Sequence, residues 1–247
     1  MQCNDLVNAL NAYLKPELFK DYAPNGLQVQ GKSEIKKIVT AVTATQTVID
    51  RAAELGADAI LVHHGWFWRG ENPCIVQTKY RRLKALMDSD MSLIAYHLPL
   101  DAHLEVGNNA LLGRMLGAKN CLQVGDGHLL WIGEIDSVTV NDLSLNLSKD
   151  LKRSALVLGP QNIEVTKVAW CSGAAEDFFE EAIMAGAQAY VSGEAAERST
   201  HLARESGVPY LVCGHHATER LGIQALGKWI EMTMGIETIF IDDDNPI

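Results

Sequence analysis

Short apolar runs that stop at a glycine or a polar residue recur along the chain and predict buried strands. The strands predicted in this way are Ala59–Val62, Ser92–Tyr96 and Leu211–Gly214, and a further strand is predicted over Ile35–Val42. Continuous apolar runs of this length are typical of parallel strands that are covered on both faces. Stretches with apolar residues at helical spacing lie between them. Repeated strand and helix units of this size predict an α/β protein with mainly parallel sheets.

Capping and breaking residues bound the predicted helices. Asn4 precedes the first helix, Pro16 follows it, and Gly56 ends the second as a C′ residue would. The helices are predicted over Asp5–Leu14, Thr45–Leu55, Thr78–Met87, Asn108–Leu116 and Asn141–Leu151.

Two other regions carry different signals. Pro24-Asn25-Gly26 is a turn signal that feeds a short extended segment. In the middle of the chain, His128–Glu134 and Ile135–Val140 predict two edge or antiparallel strands around a glycine, and Ser154–Leu158 predicts a further strand.

The chain contains an internal repeat. An offset of 130 residues places Ile35–His64 over Val165–Glu194 without a gap. The residues of the first copy that are identical in the second are Lys37, Ala44, Ala52, Gly56, Ala57 and Ala59. The predicted strand and helix boundaries coincide as well, which predicts two similar α/β domains that arose by duplication.

The repeat continues at an offset of 118, which places His97 over His215 and Asp101 over Glu219. In each copy the carboxylate follows the histidine by four residues, and a helix or turn brings side chains at that spacing together. The length of 247 residues suits two domains. We expect a first domain of residues 1–124 with 220–247 and a second of residues 125–219.

Metal-ligand side chains gather where the predicted strands end, which is where chemistry concentrates in open α/β sheets. They are His63, His64, His97, Asp101, His215 and Glu219. Imidazole and carboxylate without thiolate suit Zn, Mn, Fe, Co or Ni. The alternative is that strand-end histidines only cap backbone groups or close the core, but three strand ends together favour the metal site.

The adjacent histidines His63 and His64 bear on the number of ions. Neighbouring side chains diverge, so serving two ions is easier for them than serving one. Two metals roughly 3.5–4 Å apart, bridged by a carboxylate, activate water in many hydrolases. The sequence therefore predicts two divalent ions.

The loop after the double histidine has no counterpart in the second copy. Trp66, Phe67 and Trp68 either stack on a heterocyclic base or pack the loop onto the protein or a neighbouring subunit, and the sequence leaves both readings open. The second copy carries Gly193 and Glu194 in place of the double histidine. Glu194 ends a predicted strand and is a candidate to reach the site or support a ligand.

Composition narrows the partners. The formal net charge of −10 argues against nucleic acid or an anionic lipid surface. A small-molecule substrate stays open, including a nucleotide, because bound divalent ions would reverse the local field. No apolar run approaches the ~18–20 residues of a spanning helix, and the five cysteines form no CxxC pair. We expect a cytoplasmic protein without a membrane partner.

With these residues in view, the whole chain resembles the Nif-three family, also described as GTP cyclohydrolase 1 type 2-like. The segments that carry the resemblance are Asn25–Val29, the strand ending in His63-His64, His97–Asp101, Ser192–Glu194 and His215–Glu219. Gly65 is a departure, because many relatives have proline after the double histidine, and the difference bears on loop stiffness.

The resemblance implies two similar, intertwined α/β domains and a homohexameric ring built as a trimer of dimers. It implies a dinuclear metal site in which Glu219 is the bridge and His97 is either a ligand or the proton-transfer group. The implied metal ligands are His63, His64, Asp101, His215 and Glu219.

The family name implies hydrolytic opening of the guanine imidazole ring of GTP. We therefore expect a dinuclear metal-dependent hydrolase that acts on a nucleotide or purine-type small molecule through metal-activated water. The same centre would serve phosphoester or amide hydrolysis. The alternative is a non-catalytic metal-binding scaffold or regulatory protein that forms a ring oligomer.

Overall fold

The computed structural model describes residues 1–125 and 127–247, so Asp126, in the predicted second domain, lies outside the described residues. The chain divides into two compact units. Unit 1 comprises Met1–Leu100 and Gly222–Asp244, and unit 2 comprises Asp101–Leu221 and Asn245–Ile247. The first boundary therefore follows residue 100, where the sequence predicted residue 124.

Unit 1 contains a five-stranded sheet in the order β1-β4-β3-β2-β11. Its elements are α1 (Cys3–Leu14), β1 (Gly26–Val29), β2 (Lys37–Thr43), α2 (Gln46–Glu54), β3 (Ala59–His64), α3 (Gln77–Asp88), β4 (Ser92–Ala95), the start of α4 (Leu98–Ala102), the end of α9 (His215–Met234) and β11 (Glu237–Phe240). Strands β4, β3, β2 and β11 are parallel, and β1 is antiparallel to β4.

The centre of this sheet is mainly apolar, as its sequence predicts. Ile60 and Val62 of β3 belong to a buried cluster that also contains Val39 of β2 and Leu93 of β4. Helix α2 packs against α3 and adds Ile49 to the same cluster. This packing fixes the end of β3, from which the double histidine emerges.

Unit 2 contains a six-stranded sheet in the order β5-β6-β8-β9-β10-β7. Its elements are the end of α4, α5 (Asn108–Met115), β5 (Lys119–Val124), β6 (Leu130–Thr139), α6 (Val140–Leu151), β7 (Leu156–Leu158), β8 (Glu164–Cys171), α7 (Phe179–Met184), β9 (Ala189–Ser192), α8 (Glu197–Ser206), β10 (Tyr210–Val212) and the start of α9. Strands β8, β9 and β10 are parallel, and the outer pairs are antiparallel.

The middle of the chain differs from its prediction. One strand, β6, replaces the two strands predicted over residues 128–134 and 135–140, and its pairing with β8 shifts register between Glu134 and Val138. Gly133 does not break the strand; a Cβ there would lie only 3.1 Å from the Lys119 carbonyl oxygen. Strand β5 was not predicted because its exposed edge lacks an apolar pattern. Its pairing with β6 explains why the residues before 124 belong to unit 2.

The predicted helices occur within two residues of their predicted bounds. Helix α1 begins earlier than expected, with Gln2 rather than Asn4 before its first turn. Thr45 caps α2 by accepting a hydrogen bond from the Val48 amide. Helix α9 and strand β11 were not predicted. Among the described residues, no helix combines the length and the apolar character needed to cross a membrane.

Strands β2 and β3 pair in the same register as strands β8 and β9. Ile38 of β2 pairs with Ala59 of β3, and Val168 of β8 pairs with Ala189 of β9, which reproduces the offset of 130. This equality is what the predicted duplication requires.

The offset of 118 is not reproduced in the sheets. Ile60 pairs with Leu93, but its counterpart Tyr190 pairs with Tyr210, which gives an offset of 117. The segment from β10 to His215 is therefore one residue longer than the segment from β4 to His97.

Candidate metal centre

The double histidine lies at the carboxyl end of β3. Strand β3 is paired on both sides, with β2 and with β4, so its last residues are held by two neighbours. The His63 side chain is fully buried, whereas His64 is half-buried. Their ring centroids lie 4.5 Å apart, a separation that suits either a shared ion or two neighbouring ions.

Both rings are anchored through Nδ1. His63 Nδ1 lies 3.0 Å from the Tyr96 carbonyl oxygen, which can only accept, so this nitrogen carries the hydrogen and Nε2 carries the lone pair. His64 Nδ1 lies 3.2 Å from Thr43 Oγ1. A hydrogen bond at one ring nitrogen is the usual way in which a protein orients a metal-binding histidine.

His97 completes a group of three imidazoles in unit 1. Its ring centroid lies 5.1 Å from that of His63 and 5.7 Å from that of His64. One nitrogen of each of the three rings lies within 4.8 Å of the others. Imidazole nitrogens gathered in this way fit a divalent transition metal, which is the donor chemistry predicted from the sequence.

Asp21 holds His97 from the other side, and sequence reasoning missed it. The Asp21 carboxylate lies 2.9 Å from His97 Nδ1, and its side chain is only 4% exposed. Burial raises its pKa, but hydrogen bonds from His97 and Asn25 outweigh burial and lower it to about 2. In the sequence, Asp21 reads only as part of the turn that Pro24-Asn25-Gly26 predicts.

The aromatic loop is the segment with Trp66, Phe67 and Trp68. Its two tryptophans differ in their surroundings. Trp66 is buried in the core of unit 1 and donates from Nε1 to the Ala44 carbonyl oxygen at 3.1 Å. Trp68 instead lies beside the histidines, with ring centroids 5.1 Å from His97 and 5.9 Å from His64. Packing therefore explains Trp66, while Trp68 borders the imidazole group.

Gly65 leaves room for the Gln28 side chain, which lies opposite it. The Gln28 side chain accepts a hydrogen bond from the Trp66 amide at 2.7 Å, and a Cβ at position 65 would overlap that oxygen. The loop is therefore tied to β1 through Gln28.

In unit 2, Asp101 is buried among polar groups. Its Oδ1 accepts hydrogen bonds from Asn108 Nδ2 at 2.8 Å and from Ser172 Oγ at 3.2 Å. Both donors are themselves buried. A carboxylate with oriented neighbours of this kind is suited to ligate a cation.

His215 begins α9, Glu219 lies one turn further along the helix, and the two side chains face each other, as their spacing predicts. His215 Nε2 is 3.1 Å from Glu219 Oε2, and the Glu219 side chain is 3% exposed. Glu194, the candidate supporting residue, lies 2.5 Å from His215 Nδ1. Burial lowers the pKa of His215, but the hydrogen bonds and charges of Glu219 and Glu194 outweigh it and raise it to about 9.

A glycine makes room for this pair. Gly173 follows β8 with a positive φ of 70°, and a Cβ there would overlap Glu219 Oε1. Its amide donates to Thr218 Oγ1 at 3.1 Å, so the backbone at Gly173 contacts α9 directly.

The His215 imidazole lies between the carboxylates of Glu194 and Glu219 and is suited to exchange its proton for a metal ion.

Two α/β units with imidazole and carboxylate groups at strand ends define an α/β protein with candidate metal-binding groups. The Duf34/NIF3 (NGG1p interacting factor 3) family profile matches residues 1–246, and the chain belongs to this family.

Relatives match over their full length. The GTP cyclohydrolase 1 type 2 homolog of Pseudomonas aeruginosa is 44% identical and covers 98% of this chain and 97% of its own. The protein of the same name from Escherichia coli K12 is 43% identical over 100% of both chains. Among solved structures, protein ybgI, described as of unknown function, superposes with a TM-score of 0.96 at 43% identity, and TTHA1606 from Thermus thermophilus with 0.90 at 32%; each match covers both chains completely.

The pKa of His215 predicts how the metal-free protein responds to pH. Because the folded pKa of about 9 lies above the ordinary 6.5, charged His215 stabilises the fold. This contribution is fully present below pH about 6.5 and is lost as the pH rises through about 9. We expect the free energy of unfolding, measured with urea after chelation, to fall more steeply across this window in the wild type than in His215→Gln.

The control is His201→Gln, which removes an exposed histidine paired with Glu197 at the same spacing. It should leave the wild-type pH dependence in place. Parallel curves for the wild type and His215→Gln would contradict the assignment.

Proposed function

We propose that this chain is a metal-dependent hydrolase that binds two divalent ions and acts on a nucleotide or purine-type small molecule. The proposed ions are Zn, Fe, Mn, Co or Ni. The proposed ligands are His63, His64, Asp101, His215 and Glu219, with Glu219 as the bridge. The proposal extends to the cytoplasmic homohexameric ring that the family resemblance implies.

The observation that carries the proposal is the anchored imidazole group of unit 1. His63 donates from Nδ1 to a backbone carbonyl, which leaves Nε2 as its basic nitrogen. His64 is anchored through the same ring atom. A core histidine that serves only packing has no need of two further imidazoles within 4.8 Å, whereas a metal centre uses such imidazoles as ligands or for proton transfer.

The carboxylates of unit 2 carry the negative charge that neutral imidazoles lack. Two neighbouring cations need a bridging anion, and Glu219 is a buried carboxylate beside His215. The chain passes from unit 1 to unit 2 between Leu100 and Asp101, so only three residues separate His97 from Asp101. This short connection keeps Asp101 close to His97 along the chain and supports including Asp101 among the proposed ligands.

Two divalent ions in such a site would lower the pKa of a water molecule and polarise the bond that it attacks. The residues of the chain have separate tasks. In this proposal His97, whose Nδ1 is bonded to Asp21, takes up and releases a proton at its Nε2 atom. Trp68 lies beside His97 and His64, where it would limit the access of water.

The proposed substrate class is supported by the names of relatives and by the position of Trp68. Relatives that match the whole chain are named GTP cyclohydrolase 1 type 2 homolog, which favours a guanine nucleotide. Fold and family alone do not determine a substrate. Trp68 is the residue of the aromatic loop that is placed to contact a planar base.

Metal analysis followed by substrate screening tests the proposal. We expect purified protein to hold two transition-metal ions per chain, and to hydrolyse a purine nucleotide only when they are present. Two bound ions without turnover of nucleotides, phosphoesters or amides would favour the non-catalytic scaffold instead. Protein that binds no metal would contradict both functions.

Replacing Glu219 by alanine should release metal. Without the bridge, two cations would face each other unshielded, so at least one ion should be lost. Changing a supporting residue costs ~10–100-fold in metal affinity, and losing the bridge should cost more. Metal content and affinity for Zn²⁺ measure the effect.

Glu197→Ala is the matched control, because Glu197 is an exposed carboxylate paired with His201 at the same spacing. It should leave metal binding unchanged. Glu219→Gln preserves the side-chain volume in case the alanine variant folds poorly. Full occupancy by two ions in the glutamine variant would rule out a bridging role.

His97→Ala should affect turnover more than metal retention. Five other residues already supply each ion with ligands, so His97 is better suited to move a proton. A positioned acid or base contributes ~10²–10⁴ in rate. We expect near-full metal content and a rate reduced by about that factor.

The same variant separates the two roles left open for His97. Loss of metal would make His97 a ligand. Unchanged activity with both ions bound would remove it from the mechanism.

A further inference from the structure

We infer that Asp21 is the positioning residue of His97. It fixes the imidazole as the tautomer that carries hydrogen on Nδ1, and it thereby makes Nε2 the nitrogen that acts at the site. The link to turnover rests on the proposed function, whereas the tautomer itself does not.

The Asp21 carboxylate is surrounded by donors. Oδ1 lies 2.9 Å from His97 Nδ1, and the side chains of both residues are at least nine-tenths buried. The other groups that donate to the carboxylate are the amides of Tyr22, Ala23 and Leu98 and the Nδ2 atom of Asn25.

These donors have fixed roles. Backbone amides can only donate. Asn25 is fixed too, because its Oδ1 accepts from the His97 amide at 2.8 Å, which turns its Nδ2 towards Asp21 Oδ2. His97 is therefore the partner that can change between donor and acceptor, and next to a carboxylate it must donate.

Two aromatic rings hold the plane of the imidazole while Asp21 sets its tautomer. Tyr22 and Trp68 both meet His97 edge to face, with ring centroids 5.1 Å away. Leu98, next in the chain, is held by Asp21 Oδ2 at 3.0 Å. The ring is therefore constrained in position, in plane and in protonation site before any ligand binds.

A substitution that removes the acceptor tests this arrangement. Fixed donors face both carboxylate oxygens: the amides of Tyr22 and Ala23 face Oδ1, and the Leu98 amide and Asn25 Nδ2 face Oδ2. Asp21→Ala removes the oxygen to which His97 Nδ1 donates. Without that acceptor, nothing in this carboxylate keeps the hydrogen on Nδ1, and it can move to Nε2.

Nitrogen-15 NMR of histidine-labelled, full-length, metal-free protein reads the tautomer directly. In the neutral form of the ring, the wild-type His97 signal should show hydrogen on Nδ1. His97→Gln assigns the signal. Hydrogen on Nε2 of wild-type His97, or rapid averaging of the two forms, would overturn the inference.

His103 is an internal reference of opposite tautomer. Its Nδ1 accepts from the amides of Glu105 and Val106, at 3.2 and 3.3 Å, so its hydrogen lies on Nε2. In Asp21→Ala, the His97 signal should move towards the Nε2–H pattern while the His103 signal stays in place. Asp50→Ala, an exposed change on α2, should alter neither.

An unchanged Nδ1–H pattern for His97 in folded Asp21→Ala would show that another group sets the tautomer, and would overturn the inference. If the variant does not fold, the wild-type tautomer still decides. Because the spectra need neither metal nor substrate, they are independent of whether the chain is a hydrolase. A chain that shows the expected tautomers but no metal-dependent turnover would refute the proposed function alone.

Discussion

The arrangement of histidines depends on one requirement, that a buried imidazole must find hydrogen-bond partners within the protein. His63 is fully buried and uses a backbone carbonyl next to β4. That partner is available because β3 and β4 are parallel neighbours whose carboxyl ends lie side by side. The sheet register therefore determines which ring nitrogen keeps its lone pair, and with it the chemistry that the histidine can perform.

In both units a carboxylate bonds the Nδ1 atom of a histidine, but the two carboxylates come from different places in the fold. In unit 1, the Nδ1 atom of His97 is bonded by Asp21, from the segment before β1. In unit 2, the Nδ1 atom of His215 is bonded by Glu194, which follows β9. Asp21 lies outside the predicted repeat, so the two supporting carboxylates do not occupy corresponding positions of that repeat.

Sequence reasoning predicted the groups that neighbour each other along the chain. The spacing of His215 and Glu219 was sufficient, because four residues make one helical turn. Asp21 escaped prediction because it is 76 residues from His97 and lies in a turn without regular periodicity. Strand β5 escaped because an exposed edge strand has no apolar face to reveal it.

The proposed function requires one pair of neighbouring divalent ions. Electron paramagnetic resonance of protein loaded with Mn²⁺ is the direct test, because ions roughly 3.5–4 Å apart are magnetically coupled. We expect two Mn²⁺ ions per chain with a coupled spectrum, and loss of the coupling in both His64→Ala and Glu219→Ala. Two uncoupled ions, or coupling that survives either substitution, would contradict the proposal.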